Sequence, residues 1–302
     1  SDLGTLHGEL ELGAEAALGV YNVQAFYRGE YFRTSFRVAE YRKPEFQVAV
    51  ETDAPEYVQG DEIEVSAQAT YFFGGAVADA EVRYAVLSSD YYFRYQGGGW
   101  WDFTDAEYRS WWYWYQRRSS RGELIAEGDG ETDAQGRFTF TVDADIAEQI
   151  TSQRYTLEVT VTDINDQQVS NRTQAVVHKG MYYIGLKPER YVGQAEEDTV
   201  VNMITVDWDS EPAPGRELTV VFAKHNWYSV RKQAEDGRYY WESVVEDTPV
   251  YTTTVTTDSQ GKGSASFVPP SGGSYKVFAS GMDDAGNQVR SSTYLWVSGR
   301  EY

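Results

Sequence analysis

Apolar and polar residues alternate along most of this chain with a period of two. From Ile63 to Tyr71 every second residue is apolar and the residues between are polar, and the same pattern runs from Tyr155 to Val161. Successive side chains of a strand point to opposite faces, so each run predicts an antiparallel strand with one buried and one solvated face. Turn residues such as Pro214-Gly215 separate the runs. Many short strands with this spacing predict β-sandwiches.

A group of turn and strand motifs occurs twice in full and once in part. The full copies run from Asp133 to Leu157 and from Asp258 to Val277, and the partial copy runs from Asp2 to Val23. The full copies are displaced by roughly 125 residues, which is the size of a whole domain and not of a solenoid unit. The chain is therefore predicted to be an all-β array of like domains.

The repeat divides the chain into three parts. Residues 1–44 are interpreted as the C-terminal part of one domain, and 45–179 and 180–302 as two complete sandwiches. Pro44 favours an extended residue before it, which suits a stiff junction. A segment of about 44 residues cannot bury a core alone. We therefore expect residues 1–44 to need a missing half or a neighbouring domain.

Both complete domains carry a long excursion at the same point of the repeat. The first, residues 90–122, is densely aromatic. Thr104 and Glu107 have the spacing of a capping box, and aromatic residues from Tyr108 to Tyr115 follow at helical spacing, which predicts a short helix over 105–116. The second, residues 226–250, is predicted to be a long hairpin with Asp236-Gly237 at its tip.

The aromatic insertion is the best candidate for an interaction site, because Trp, Tyr and Arg are the residues that carry protein interfaces. Three interpretations stay open: packing against a sheet or a domain junction, a protein-contact patch, and a carbohydrate-binding platform. A fully exposed cluster of this size would aggregate. The candidate interface residues are Trp100, Trp101, Tyr108, Trp111, Trp112, Trp114, Tyr115, Arg117 and Arg118.

Composition narrows the function classes. The net charge of −21 makes nucleic acid and anionic membranes poor partners. The chain has no Cys, and its three His residues do not have the spacing of metal ligands. No catalytic, cofactor or metal site is predicted, and we expect no enzymatic activity. Cys-free tandem β domains suit the bacterial cell envelope, so a periplasmic, cell-surface or secreted location is expected.

The first domain junction carries a more specific motif. The sequence from Phe36 to Val48 reads F-R-V-A-E-Y-R-K-P-E-F-Q-V. It resembles the F-x-V-x-E-Y-x-x-P-x-F-x-V junction between macroglobulin-like domains of the alpha-2-macroglobulin family. The sequence from Tyr71 to Val77 is similar to the Y-x-x-G-x-P-V turn of such domains, with Ala76 in place of the usual Pro.

The resemblance implies tandem seven-stranded antiparallel sandwiches within a bacterial protease inhibitor. In that family a protease cuts a bait segment, the shell collapses, and a Cys-Gln thioester often captures the protease. The chain has no Cys, so it is expected to be a non-catalytic scaffold that positions a bait and a thioester located elsewhere. Its implied partners are other domains of the same parent chain and, through the whole protein, proteases. The alternative is a tandem Ig-like adhesin or carbohydrate-binding module that uses the insertion, although carbohydrate is the less favoured partner.

Overall fold

The computed structural model describes residues 19–27, 30–38, 44–105, 122–233 and 239–299, together with Glu9 and Leu12. The chain forms two compact units, residues 1–45 and 46–302. All regular secondary structure in the described residues is β-strand, which confirms the all-β prediction. The helix predicted over 105–116 lies, apart from Asp105, outside the described residues.

The unit formed by residues 1–45 contains one described hairpin. Strands β1 (Gly19–Tyr27) and β2 (Glu30–Val38) pair antiparallel along their whole length. The rings of Tyr21 and Phe36 stack with centroids 5.5 Å apart. None of the side chains described in this unit is buried, and a lone hairpin is at best marginally stable in water. The exposed large apolar side chains of the hairpin are those of Val20, Val23, Phe26, Tyr27, Tyr31, Phe32 and Phe36.

The unit formed by residues 46–302 contains two sandwiches. In the first sandwich a three-stranded sheet has the order β3-β5-β8 and a five-stranded sheet has the order β4-β10-β9-β6-β7. The strands are β3 (Phe46–Thr52), β4 (Glu56–Val58), β5 (Glu62–Tyr71), β6 (Glu81–Tyr91), β7 (Glu123–Glu131), β8 (Arg137–Asp143), β9 (Ser152–Thr162) and β10 (Gln168–His178).

The second sandwich repeats this topology. Its sheets have the orders β11-β13-β16 and β12-β18-β17-β14-β15. The strands are β11 (Tyr183–Pro188), β12 (Val192–Gln194), β13 (Thr199–Val206), β14 (Glu217–Gln233), β15 (Tyr239–Thr256), β16 (Lys262–Phe267), β17 (Gly273–Met282) and β18 (Gln288–Ser298).

Each sandwich has eight strands, one more than the resemblance implies, because its first strand changes sheets. β3 ends at Thr52, and the chain then crosses to pair with β10 as the three-residue strand β4. Asp53 fixes this bend, since its Oδ1 accepts hydrogen bonds from the Tyr57 hydroxyl at 2.6 Å and the Glu64 amide at 3.0 Å. β11 and β12 repeat the crossover in the second sandwich.

Each sandwich has its own apolar core, made from the inward positions of the alternating runs. Phe46, Ile63 and Leu157 are fully buried in the first core, and Leu186, Phe222 and Tyr275 in the second. Burying one such side chain contributes roughly 1.5–3 kcal/mol. The two cores are separate clusters, so contact between the sandwiches depends on other residues.

A shared Asp turn closes several of the strand connections. In each, the Asp Oδ1 accepts hydrogen bonds from the amides two and four residues later, as an Asx turn does. Backbone hydrogen bonds from Lys262 and then Gln260 lower the pKa of Asp258. The Asp residues of these turns are Asp133, Asp163, Asp207, Asp258 and Asp283.

Candidate functional site at the junction of the two sandwiches

Residues 92–105, called the strap here, leave the first sandwich and lie on the second. β6 ends at Tyr91, which pairs with Ser152 at the start of β9. His178, at the end of β10, lies at this same end of the sheet, because Val177 pairs with Gln153. The strap therefore leaves the first sandwich at the end from which the main chain passes into the second.

Backbone hydrogen bonds join the strap to both sheets of the second sandwich. Asp102 and Leu186 of β11 exchange two amide–carbonyl hydrogen bonds of 2.8 and 2.9 Å. The Ser292 amide of β18 donates to the Thr104 carbonyl at 3.1 Å. The strap thus satisfies edge groups of β11 and β18, which belong to different sheets. Unpaired backbone groups at a buried edge are costly, so these bonds favour the docked position.

Aromatic side chains of the strap cover the outer face of β11 and β13. Phe93 stacks on Tyr183 with centroids 4.1 Å apart and planes 9° apart. Phe103 contacts Phe93 edge-on, with centroids 5.1 Å apart. Beneath them, Ile204 and Val206 are buried on the face opposite the core. Aromatic pairs with these geometries contribute about 0.5–1.5 kcal/mol beyond the area that they bury.

Gly185 makes room for the strap. It lies opposite Ile204 in the β11–β13 ladder. A Cβ atom at this position would lie 2.7 Å from the Phe103 ring and 2.8 Å from the Ile204 side chain. Both distances are below van der Waals contact, so only glycine lets the ring approach the sheet this closely.

Polar side chains hold the strap to β18. The Thr293 hydroxyl donates to a carboxylate oxygen of Asp102, and the Ser291 hydroxyl donates to the Asp102 carbonyl at 2.8 Å. Ser291 and Thr293 are both buried. The hydrogen bond from Thr293 is charge-assisted and therefore stronger than a neutral one, and both bonds help to fix the register of the strap on β18.

Asp105 at the end of the strap forms ion pairs with two cations of the second sandwich. Its Oδ2 lies 3.2 Å from Arg290, and its Oδ1 lies 3.9 Å from the ammonium of Lys276. Lys276 is only 2% exposed, and its ammonium lies 4.5 Å from the centroid of the Phe278 ring. A buried ammonium is costly without a counter-charge. The Asp105 carboxylate therefore compensates a charge that β17 buries.

A buried network links the two sandwiches beside the strap. The Tyr183 hydroxyl lies 2.6 Å from Nδ1 of His178 and 2.8 Å from the Ser152 hydroxyl. The Lys179 amide donates to the Ser152 hydroxyl at 3.2 Å. All three contacts are hydrogen bonds when the Ser152 hydroxyl donates to Tyr183 and the Tyr183 hydroxyl donates to a neutral His178. His178 and Ser152 come from the first sandwich and Tyr183 from the second.

His178 is held in its neutral form. It is fully buried and stacks on Trp208 with centroids 4.4 Å apart. Its Nε2 lies 3.6 Å from Glu56, beyond hydrogen-bond distance, and has no hydrogen-bond partner among the described residues. Burial lowers the pKa of His178 to about 4 and raises that of Tyr183. Burial also raises the pKa of Glu56.

A cleft of about 480 Å³, lined by both polar and apolar side chains, lies between the sandwiches beneath the strap. Phe93, Phe103 and Asp105 of the strap line one side, and Lys179 and Arg290 contribute positive charge. Within the described residues, no group of three or more His, Cys, Asp and Glu side chains could hold a metal ion. No helix in that part of the chain has the length and apolarity that a membrane span requires.

Of the predicted interface residues, the structure describes two. Trp101 is partly buried, and the Lys187 ammonium lies 5.8 Å from its ring centroid. Trp100, two residues before Asp102, is 86% exposed. The other predicted residues, Tyr108, Trp111, Trp112, Trp114, Tyr115, Arg117 and Arg118, lie outside the described residues.

Sequence reasoning missed three of the residues that dock the strap, Phe93, Tyr95 and Phe103. Together with Trp101, which was among the predicted residues, they occupy odd positions and pack on the outer face of the second sandwich. That alternation was an available signal for an extended segment. A second signal was β13, where Ile204 and Val206 are apolar at outward positions.

The sequence matches known macroglobulin domains. Residues 185–298 match the family model of bacterial macroglobulin domain 6. An alpha-2-macroglobulin homolog from Nostoc sp. is 24% identical over 303 residues, which cover 99% of this chain and 15% of that protein. Alpha-2-macroglobulin from Thermotoga maritima is 28% identical over 215 residues, which cover 71% of this chain and 12% of that protein. The chain thus spans a small part of the relatives that it matches.

Solved structures share the fold. The native conformation of Escherichia coli alpha-2-macroglobulin superposes with a TM-score of 0.58 at 13% identity, over 95% of this chain and 18% of that one. The same protein activated by porcine elastase gives a TM-score of 0.56 at 13% identity, over 96% of this chain and 25% of that one. These similarities confirm the macroglobulin-like sandwich predicted from the sequence.

Proposed function

We propose that this chain, which belongs to the bacterial alpha-2-macroglobulin family, is a non-catalytic scaffold segment of a protease trap. Its two sandwiches would set the relative position of the parts of the protein that meet the protease. No thioester can lie within these residues, since the chain has no Cys. The bait and any thioester would therefore belong to other parts of the protein.

The observation that carries this proposal is the docked strap. It bonds to two sheets of the second sandwich through its backbone, buries aromatic rings on one of them, and places Asp105 beside Lys276. Such a contact holds one sandwich against the next. A rigid joint between consecutive domains is what a shell needs in order to transmit a cut at one place to a movement at another.

The relatives support the protease part of the proposal. The Escherichia coli alpha-2-macroglobulin is activated by porcine elastase, so a protease acts on a protein that shares this fold. By extension, proteases would be partners of the complete protein that contains this chain, and its other domains would be the direct partners of these sandwiches. A periplasmic, cell-surface or secreted location suits that role.

The test uses the complete natural protein mixed with trypsin at several ratios. Residual activity is assayed on a small chromogenic peptide and on a large protein substrate. The proposal predicts that the small substrate is still cut while the large one is spared, because a caged protease admits only small molecules. Equal cutting of both substrates at every ratio, with the protein simply degraded, would rule out the trap.

The alternative, a carbohydrate-binding module, rests on the exposed ring of Trp100. Acrylamide quenching of Trp fluorescence, with and without soluble glycans, separates the two functions. The scaffold predicts an emission spectrum that glycans do not change. A glycan-dependent change that Trp100→Ala abolishes would favour the carbohydrate module.

A further inference from the structure

The second sandwich carries its own excursion at the position where the first carries the strap. The first excursion connects β6 to β7, and the second connects β14 to β15. These strand pairs hold the same place in their sheets, since β6 lies between β9 and β7 and β14 lies between β17 and β15. The β14–β15 hairpin is therefore the topological equivalent of the segment that contains the strap.

The hairpin also leaves its sandwich at the equivalent end. The last residue of β14 that pairs with β17 is His225, opposite Ser274. Gly273 at the start of β17 pairs with Val297 near the end of β18. From Asn226 onward the hairpin thus projects past the end of the sheet at which β18 finishes. In the first sandwich, the strap projects past the end at which β10 finishes.

One face of the projecting hairpin carries large aromatic side chains that are exposed to solvent. Trp227 pairs with Val245, Arg231 with Trp241, and Gln233 with Tyr239. Every second residue of a strand points to the same face, so these side chains lie on one face of the hairpin. Trp227 is 63% exposed and Trp241 is 70% exposed. The Arg231 guanidinium lies 4.1 Å from the centroid of the Tyr239 ring. This surface, called the Trp face here, is made of Trp227, Arg231, Tyr239, Trp241 and Val245.

Clustered exposed Trp, Tyr and Arg side chains mark contact surfaces, because their apolar area is costly to leave in water. The strap, which already lies on a receiving sheet, shows what kind of surface would fit the Trp face. The strap lays its aromatic rings on a sheet face whose outward residues are Tyr183, Ile204 and Val206. The strap contributes backbone and aromatic rings, and the receiving sheet contributes apolar outward positions.

We propose that the Trp face docks on the sandwich that follows the second one in the natural polypeptide. The receiving surface would be the outer face of that sandwich's three-stranded sheet, with apolar residues at outward positions. Each sandwich would then hold the next through the excursion at the same place in its fold. This chain spans only 15% of the Nostoc relative, and that greater length leaves room for a further sandwich. This inference does not depend on whether the protein traps proteases.

The test is site-specific photo-crosslinking in the complete natural protein. A photoreactive phenylalanine analogue replaces Trp241 on the Trp face. In a matched control the analogue replaces Tyr228, which pairs with Val244 and lies on the opposite face of the hairpin. Crosslinked peptides are identified by mass spectrometry. We expect the analogue at position 241 to crosslink to residues C-terminal to position 302, and the analogue at position 228 to crosslink at least tenfold less.

Three results would overturn the proposal. One is no crosslink from position 241. Another is a crosslink between two copies, which mixing isotope-labelled and unlabelled protein reveals. The third is equal crosslinking from both positions. Hydrogen exchange supplies an independent measurement without substitution: amides of residues 226–250 should exchange at least tenfold more slowly in the complete protein than in the 302-residue chain, and equal rates would contradict the docking.

Discussion

The two three-stranded sheets have the same topology, but the residues on their outer faces differ in polarity and burial. On β3 and β5 of the first sandwich the outward residues are small or polar, such as Ala49 and Glu64, and they are exposed or half-buried. On β11 and β13 of the second sandwich the outward residues Tyr183, Ile204 and Val206 are buried. The strap covers the second face, whereas no outward residue of β3 or β5 is buried. The outer face of a macroglobulin-like sheet therefore shows whether a neighbouring segment docks on it.

Introducing charge should have opposite consequences on the two faces, and this is the largest effect that we expect. Ile204→Glu places a carboxylate beneath Phe103 without a partner and should lower the free energy of unfolding by about 3–5 kcal/mol. Ala49→Glu on the first face should change it by less than about 0.5 kcal/mol. Urea unfolding of both variants measures the difference. Equal effects would mean that the strap does not cover Ile204.

The ends of the two sandwiches from which the strap and the β14–β15 hairpin project should differ in their response to acid. His178, at the end of β10, is buried, whereas Ser298, at the end of β18, is exposed and does not titrate. The folded pKa of His178, about 4, lies below the unfolded value of 6.5. The unfolded chain therefore binds the proton more readily, and stability falls as the pH drops from about 6.5 to 4. The loss should approach about 3 kcal/mol.

Urea unfolding at several pH values measures this loss against a variant. In His178→Gln the part of the pH dependence that falls between pH 6.5 and 4 should shrink by that amount. The carboxylates of the Asp turns remain in the variant and serve as an internal reference. If the native protein and the variant have parallel pH profiles, His178 is not held neutral.

Adding one methyl group at Gly185 tests the fit of the strap. Gly185→Ala brings a Cβ against the Phe103 ring and Ile204 and should lower the free energy of unfolding by about 1–3 kcal/mol. In a Phe103→Ala background the same substitution should cost clearly less, because the ring is absent. A double-mutant cycle measures this coupling. Additive effects would contradict the contact between Phe103 and Gly185.

The ion pair at the end of the strap should have the smallest effect. Arg290 is about half exposed beside Asp105, so Arg290→Gln should lower stability by about 0.2–1 kcal/mol. The effect should become smaller in 1 M salt but should not vanish, because salt screens the half-exposed Arg290 more than the buried Asp105. Thermal unfolding at low and high salt measures both values. A large loss that salt does not change would mean that Arg290 acts through packing instead.

The sequence predicted the elements that depend on alternation and turns. The inward residues of β5 and β9 and the Asp turn at Asp258 follow from local chemistry, so they could be read directly. The crossover of β4 could not be predicted, because it depends on the pairing of β4 with residues 176–178 of β10, far along the chain. The docking of the strap depends on contacts between residues as distant as Asp102 and Thr293. Composition marked the insertion as aromatic but did not identify which of its residues touch the next domain.

The central claim is that the strap fixes the second sandwich relative to the first. Because the chain has no Cys, Glu64→Cys and Lys262→Cys allow one spin label on each sandwich at an exposed position. Pulsed electron–electron double resonance then gives the distribution of distances between the two spin labels. We predict a single narrow distribution in the native chain and a clearly broader one when Phe93→Ala and Phe103→Ala remove the strap's rings. A distribution that the two substitutions leave unchanged would contradict this account.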